Sequence, residues 1–369
     1  MNPITTTRRG TSRTTATIPT GTMRAVVKAK AGPGLEIREI PVPVPGPGQL
    51  LLRVLRAGIC GTDLHIYEWD AWSQARLRPP FTIGHEFVGE IVGLGLGVTG
   101  FQTGERVSLE SHLVCGLCAA CRTGNAHVCQ NTRILGLDAD GGFAEYAVAP
   151  AVNAWRAPAN VPLEVQSIME PLGNAVHTAF SGDLSACRIA VTGCGPIGLF
   201  AIGVARAAGA CQVIASDISA YRLDLARRMK ADAVIDASKE DFVQRIEELT
   251  DGCGLDGVLE MSGNAKAIRG GLEALRNGGR LSLLGLPREE LGLDWNRLLV
   301  FKGVTIHGIV GRRMYETWYQ MDSLLRSGSL DVRPAITHVM PMEQVVGGIE
   351  LLRSGNAGKI VLVPWGQEG

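Results

Sequence analysis

Four cysteines fall in one short stretch, as Cys115-x-x-Cys118-x-x-Cys121-x7-Cys129. Thiolates this close along a chain can surround one Zn²⁺ tetrahedrally and leave no coordination position open, which makes such a site structural. An iron–sulfur motif usually carries proline after its last cysteine, whereas Gln130 stands here. A second, sparser set lies upstream: Cys60 in Gly58-Ile-Cys-Gly-Thr-Asp-Leu-His65, then His85 and Glu86 in Gly84-His-Glu. One thiolate, one imidazole and one carboxylate can hold a zinc and still leave a position for water or substrate, which Lewis-acid chemistry requires. Gly-His-Glu alone is a weak motif, and a lone histidine is more often a core or surface residue. Its occurrence after Cys60 and just before the four-cysteine stretch makes it a candidate catalytic metal site.

The third pattern is Gly193-Cys-Gly195-Pro-Ile-Gly198, directly after the apolar run Arg188–Thr192 and at the start of a helical stretch. The first glycine permits a tight turn, the second lets a pyrophosphate approach the backbone, and the third lets helix and strand pack closely. The helix N-terminus then faces the phosphates. A lone Gly-x-Gly-x-x-Gly is weak, but a second apolar run ends in Asp217, about 20 residues on, where the fingerprint places an acid for the ribose hydroxyls. A carboxylate there repels a 2′-phosphate, so NAD is favoured over NADP.

Two kinds of texture must position these groups. From 23 to about 150 the chain reads as short β segments (Gln49–Ala57, Glu90–Gly93) broken by turns such as Pro41-Val-Pro-Val-Pro-Gly-Pro-Gly48. That punctuation predicts a barrel-like or Greek-key domain. From about 174, strand-length runs (Arg188–Thr192, Gln212–Ser216, Gly257–Glu260, Arg280–Leu284) alternate with helical stretches (Ile197–Ala208, Tyr221–Met229). Alternation of this sort predicts βαβ units on a parallel sheet. An amphipathic helix (Glu316–Arg326) and a last strand (Lys359–Pro364) come after these and could return to either half.

Composition narrows the classes. The chain has 369 residues, long enough for two domains, and 46% of them are apolar. Lys+Arg and Asp+Glu both number 36, and this zero balance argues against a nucleic-acid surface. No apolar run reaches the length of a membrane span. The nine cysteines are an odd number, with four at metal-ligand spacing and no signal peptide ahead of them, so reduced thiols in the cytoplasm are expected. Residues 1–22 hold three Arg, many Thr and no acid. They read as a disordered leader or an over-called start, although a transit peptide shares that composition.

The three motifs, in this order, resemble the zinc-dependent medium-chain dehydrogenase/reductase family from Met23 onward. Three strings resemble the branch that oxidises the C3 hydroxyl of L-threonine: Gly61-Thr-Asp-Leu-His-Ile-Tyr-Glu-Trp-Asp-Ala-Trp-Ser-Gln74, Pro171-Leu-Gly-Asn-Ala-Val-His-Thr178 and Gly311-Arg-Arg-Met-Tyr-Glu-Thr-Trp-Tyr319. The resemblance implies an α/β protein with a GroES-like β-rich catalytic domain (23–173 and 316–369) and a doubly wound Rossmann NAD-binding domain (174–315). It implies Cys60, His85 and Glu86 as ligands of a catalytic Zn²⁺, and Cys115, Cys118, Cys121 and Cys129 as ligands of a structural one. Thr62 and His65 match a proton relay, and Glu170 matches an acidic position beside the metal, as ligand or as relay. Gly193, Gly195, Ile197, Gly198, Asp217, Arg222, Leu284, Gly285, Leu286, Ile309 and Val310 match NAD contacts. An NAD-dependent alcohol-type dehydrogenase forming a homotetramer is implied, with L-threonine as substrate and 2-amino-3-ketobutyrate as product. Glu110 and His112 are candidates for holding the substrate's charged ends. The run Arg297-Leu-Leu-Val-Phe301 is one residue longer than the family pattern. The rival readings are a polyol or 2,3-butanediol dehydrogenase on the same scaffold, or a zinc-stabilised binding protein without catalysis.

Overall fold

The computed structural model describes residues 19–287 and 289–367, so most of the expected leader at 1–22 lies outside the described residues. Strand Arg188–Thr192 is a β-branched, apolar run buried from its second residue on. It forms the middle of an all-parallel six-stranded sheet whose spatial order is 233–236, 212–217, 188–192, 255–260, 275–283, 305–308. In chain order this is 3-2-1-4-5-6, the doubly wound arrangement, with helices such as Pro196–Ala207 and Ala265–Ala274 as crossovers. The expected Rossmann sheet is therefore present. The direction of winding reverses between 188–192 and 255–260, and in such folds a ligand crevice opens there, beyond the carboxyl ends of the strands.

The other half is built around the long strand Gln49–Ile59, which pairs antiparallel with Glu86–Leu94, Tyr146–Pro150 and Lys359–Val363. Strand Glu86–Leu94 begins four residues before the expected Glu90, because Phe87 and Val88 are buried and extend the ladder back to Glu86. Strand Lys359–Val363 returns to the sheet of Gln49–Ile59, with helix Glu316–Arg326 packed against helix Met169–Ala179 on the way. One apolar core fills the β-rich half, a second lies on one side of the parallel sheet, and a third runs from the sheet's other side across the junction to Ile168, Leu172 and Trp318.

The run 297–301 lies in and just after a widened helical turn. Residues Asn296–Val300 form a π turn in which Phe301 N–H donates to Asn296 O across 2.9 Å. That i→i+5 bond makes the turn wider than an α-helical one. No helix among the described residues is long and apolar enough to cross a membrane.

Candidate active site

The four clustered cysteines converge around the short helix Ala119–Arg122 and the turn Ala126–Val128. Their sulfurs stand 4.0 Å (Cys115–Cys121), 3.6 Å (Cys118–Cys121), 3.8 Å (Cys118–Cys129) and 3.5 Å (Cys115–Cys129) apart. A tetrahedron with Zn–S bonds near 2.3 Å has edges of about 3.8 Å, so the donor set fits one zinc ion. Backbone N–H groups of Cys115, Cys118 and Asn131 point at sulfurs across 3.4 Å, and such contacts favour the thiolate form. Backbone N–H groups of Leu117 and Cys118 bring the Cys115 thiol down to about 6. Burial and the neighbouring sulfurs push Cys121 up to about 12, which a shared cation would relieve. Cys118→Ser is expected to lower both zinc content, by one ion per chain, and melting temperature, since metal binding at a closed site is coupled to folding. A Cys118→Ser protein with wild-type zinc content and melting would refute a structural metal here.

The second set is assembled from two elements. Cys60 ends strand Gln49–Ile59 and caps helix Gly61–Glu68, where Asp63 Oδ2 accepts from Cys60 N–H at 2.8 Å. His85 and Glu86 stand where strand Glu86–Leu94 begins, on the neighbouring ladder. One donor atom from each of Cys60, His85 and Glu86 lies within 4.8 Å of the others. His85 Nδ1 and Glu86 Oε1 are buried without a hydrogen-bond partner, so donors here point at something the protein itself does not supply. Burial disfavours charge on His85, yet Cys60, Asp63 and Glu170 around it outweigh this and push the imidazole up to about 10. The field of the site is made for a cation, and thiolate, imidazole and carboxylate together suit zinc.

Behind this set lie two buried cations that sequence reading missed. Lys359 is 1% exposed, ion-pairs with Glu86 and donates to Ile59 O at 2.7 Å. Arg312, also 1% exposed, forks onto Glu110, pairs with Glu170 at 2.7 Å and reaches Asn174 Oδ1 at 3.1 Å. Ser111 Oγ donates to Glu170 at 2.6 Å and Trp318 Nε1 to Glu110 at 2.8 Å. Glu110 thus does not face the cleft as a substrate group; its carboxylate is consumed by Arg312 and Trp318, and it has no exposed surface. His112 stands beside the site with no hydrogen bond at Nδ1, which is 3.8 Å from Glu110 Oε1, and burial together with Arg312 brings it down to about 4. Glu170 is not among the residues that converge within ligand distance. Burial opposes its charge, but Arg312 and His85 hold its carboxyl below the usual range.

Thr62 Oγ1 lies 3.7 Å from Cys60 Sγ, while His65, one turn further along the helix, has a side chain 48% exposed. Both belong to helix Gly61–Glu68, which starts directly after Cys60. No simple signal marks Lys359 or Arg312 in the sequence, because each acts on residues that the fold brings from far along the chain.

The cofactor candidates gather at the carboxyl edge of the parallel sheet, around a cavity of about 640 Å³ lined by Gly193, Gly195, Asp217, Arg222 and others. Gly193 has φ +89°, and a Cβ on it would stand 2.9 Å from Ser262 Cα. A Cβ on Gly198 would run into the carbonyl of Gly193, so helix Pro196–Ala207 could not pack on its strand with any other residue there. Asp217 Oδ2 accepts from Cys194 N–H at 2.7 Å and Oδ1 from Ser219 N–H at 2.9 Å, which aims the carboxylate beside the loop. Ile197 follows Pro196 in the first turn of the helix. Leu284, Gly285 and Leu286 come directly after strand Leu275–Leu283, while Ile309 and Val310 come after the adjacent Thr305–Gly308. These five do not line the cavity itself but lie along the same edge. Glu260, missed by the sequence reading, ties the edge together: its carboxylate accepts from Ser262 and Gly263 N–H, and its carbonyl from Leu284 and Gly285 N–H at 3.0 Å.

A β-rich half with a thiolate–imidazole–carboxylate set, a closed four-thiolate site and a doubly wound half with a glycine-rich turn together define a zinc-dependent dehydrogenase. Residues 46–159 match the alcohol dehydrogenase GroES-like domain and residues 196–327 the zinc-binding dehydrogenase family. The chain belongs to the zinc-dependent medium-chain dehydrogenase/reductase family. It is similar to the L-threonine 3-dehydrogenase of Symbiobacterium thermophilum, with 52% identity over 344 residues covering 93% of this chain and 98% of that one. Among solved structures it resembles an alcohol dehydrogenase from Escherichia coli complexed with cofactor NADH (29% identity, TM-score 0.86, covering 93% of this chain and 99% of that one). It also resembles the 2R,3R-butanediol dehydrogenase of Bacillus subtilis (28% identity, TM-score 0.83, 93% and 99%).

Proposed function

We propose that this chain is an L-threonine 3-dehydrogenase, oxidising the C3 hydroxyl of L-threonine to 2-amino-3-ketobutyrate with NAD as acceptor. The observation that carries the reading is the convergence of Cys60, His85 and Glu86 with Thr62 and Glu170 beside them, in a chain about half identical to L-threonine 3-dehydrogenases. When bound at these residues, zinc supplies Lewis acidity at the substrate hydroxyl and NAD supplies a hydride acceptor. Cys60, His85 and Glu86 would hold the metal, with Lys359 fixing Glu86 from behind. Thr62 and His65 take the hydroxyl proton outward, and Glu170, kept charged by Arg312, stands near His85, where its charge favours a cation in the metal set. Asp217 receives the ribose hydroxyls and Arg222 lines the same cavity.

NAD reduction measured with L-threonine against simple alcohols and butanediol tests the reading. Preference for butanediol would move the chain to the polyol and 2,3-butanediol dehydrogenases on the same scaffold. Cofactor choice is expected to depend on Asp217: its replacement by Gly or Ser should weaken NAD binding and improve NADP relative to it, because the ribose hydrogen bond and the repulsion of a 2′-phosphate are both lost. A wild type that prefers NADP would contradict this role.

The division of labour we assign is 23–173 with 316–369 for the metal half and 174–315 for the cofactor half, helix Met169–Ala179 running through the junction. Nine free thiols suit a reducing cytoplasm. Self-association, with a homotetramer as the expected state, is supported by strand Thr305–Gly308 at the open edge of the parallel sheet, flanked by Val300 (66% exposed), Phe301 (79%) and Val310 (52%). Light scattering coupled to size exclusion reads the state directly.

A further inference from the structure

We propose that Asp70 is a positioning residue for His65, holding its imidazole in the one tautomer and orientation that lets it carry a proton out of the cleft. This rests on the reading of His65 as the outer member of the relay. His65 lies in the last turn of helix Gly61–Glu68, which Trp69 ends in a left-handed conformation (φ 57°). The next residue, Asp70, caps helix Ala71–Arg76. Its two carboxylate oxygens are divided between two tasks. Oδ1 accepts from Ser73 N–H at 3.0 Å, and Oδ2 stands 2.7 Å from His65 Nδ1.

The surroundings keep this pair in register. Ser73 Oγ donates to His65 O at 2.7 Å, linking the second helix back to the first. The Trp72 ring stands 5.9 Å from the imidazole, centroid to centroid, tilted by 56°. Trp69 packs under Lys28 at 4.7 Å, which fixes the turn between the helices. Backbone N–H of Ser73 and the His65 ring hold the Asp70 carboxyl below its usual range against the effect of burial, so it is charged at neutral pH.

A charged carboxylate at Nδ1 requires the proton on that nitrogen, which leaves the Nε2 lone pair free. The proton that leaves the substrate hydroxyl is then taken at Nε2 and passed to bulk water, and the ring returns to its starting tautomer. Asp70 stays ionised throughout and touches neither substrate nor cofactor.

Asp70→Asn separates the two tasks, because asparagine caps a helix about as well as aspartate but brings no charge to His65. In a buried histidine–aspartate pair the same change costs ~10⁴ in kcat through the wrong tautomer. For this solvated pair a loss of about tenfold in kcat is expected. The KM for L-threonine, NADH affinity by fluorescence, zinc content and melting temperature should stay at wild-type values. The solvent deuterium isotope effect on kcat should rise as proton release becomes limiting. Asp70→Ala should lose the same turnover and some stability as well. Wild-type kcat and isotope effect in Asp70→Asn, with His65→Ala slow, would overturn the role given to Asp70. A drop in kcat matched by losses of zinc and melting temperature would also overturn it, as the sign of a structural role. Wild-type turnover in His65→Ala would overturn the relay itself, and Asp70's role with it.

Discussion

Arg312→Met should cost this protein about 3–5 kcal/mol of stability, the usual penalty for leaving a buried charge without its partner. The guanidinium is 1% exposed and its chief partner, Glu110, is wholly buried, so neither charge can turn to water when the other is lost. With an unfolding entropy of ~2 cal/mol/K per residue, the melting temperature should fall by roughly 5 °C. Methionine fills much of the same volume, so the loss reads the charge rather than a cavity. Removing both partners, as Arg312→Met with Glu110→Gln, should recover part of the stability, and a double-mutant cycle isolates the coupling. Arg312→Lys should fall between, since an ammonium cannot fork onto a carboxylate. Turnover should fall as well, because Glu170 loses the cation that keeps it ionised. Unchanged melting in Arg312→Met would mean that the cluster is not held by paired charges.

His65→Ala should lower kcat on the order of 10²-fold, the lower end of what a proton-transferring group contributes. Its side chain is 48% exposed, so its removal opens no cavity in the core and stability should change little. Zinc content and NAD affinity should remain near wild type, since neither the metal donors nor the crevice at the sheet edge touches this ring. The competing account, in which His65 serves packing, predicts the opposite pattern: lower melting with turnover per folded molecule preserved. Measuring kcat, metal content and melting on one preparation separates the two, and unchanged turnover across pH 6–9 would exclude a relay.

The features legible along the chain are those that depend on short-range geometry. Four cysteines within fifteen residues converge because a few turns of backbone suffice to bring their sulfurs together. Gly193, Gly195 and Gly198 announce their turn because the backbone path there excludes a Cβ at two of the three positions. Strand Arg188–Thr192 and helix Glu316–Arg326 occupy the expected residues, since period and composition determine them locally. The tertiary structure alone decided the rest. Lys359 reaches Ile59 across 300 positions, and Arg312 reaches Glu110 across 202. Glu110, which next to the four-cysteine stretch looked available for a substrate, is instead turned inward by that arginine. The difference is physical: a turn or a helical face is written in neighbouring residues, whereas the energy of a charge depends on its burial and on which opposite charge stands against it. Both are properties of the packed chain.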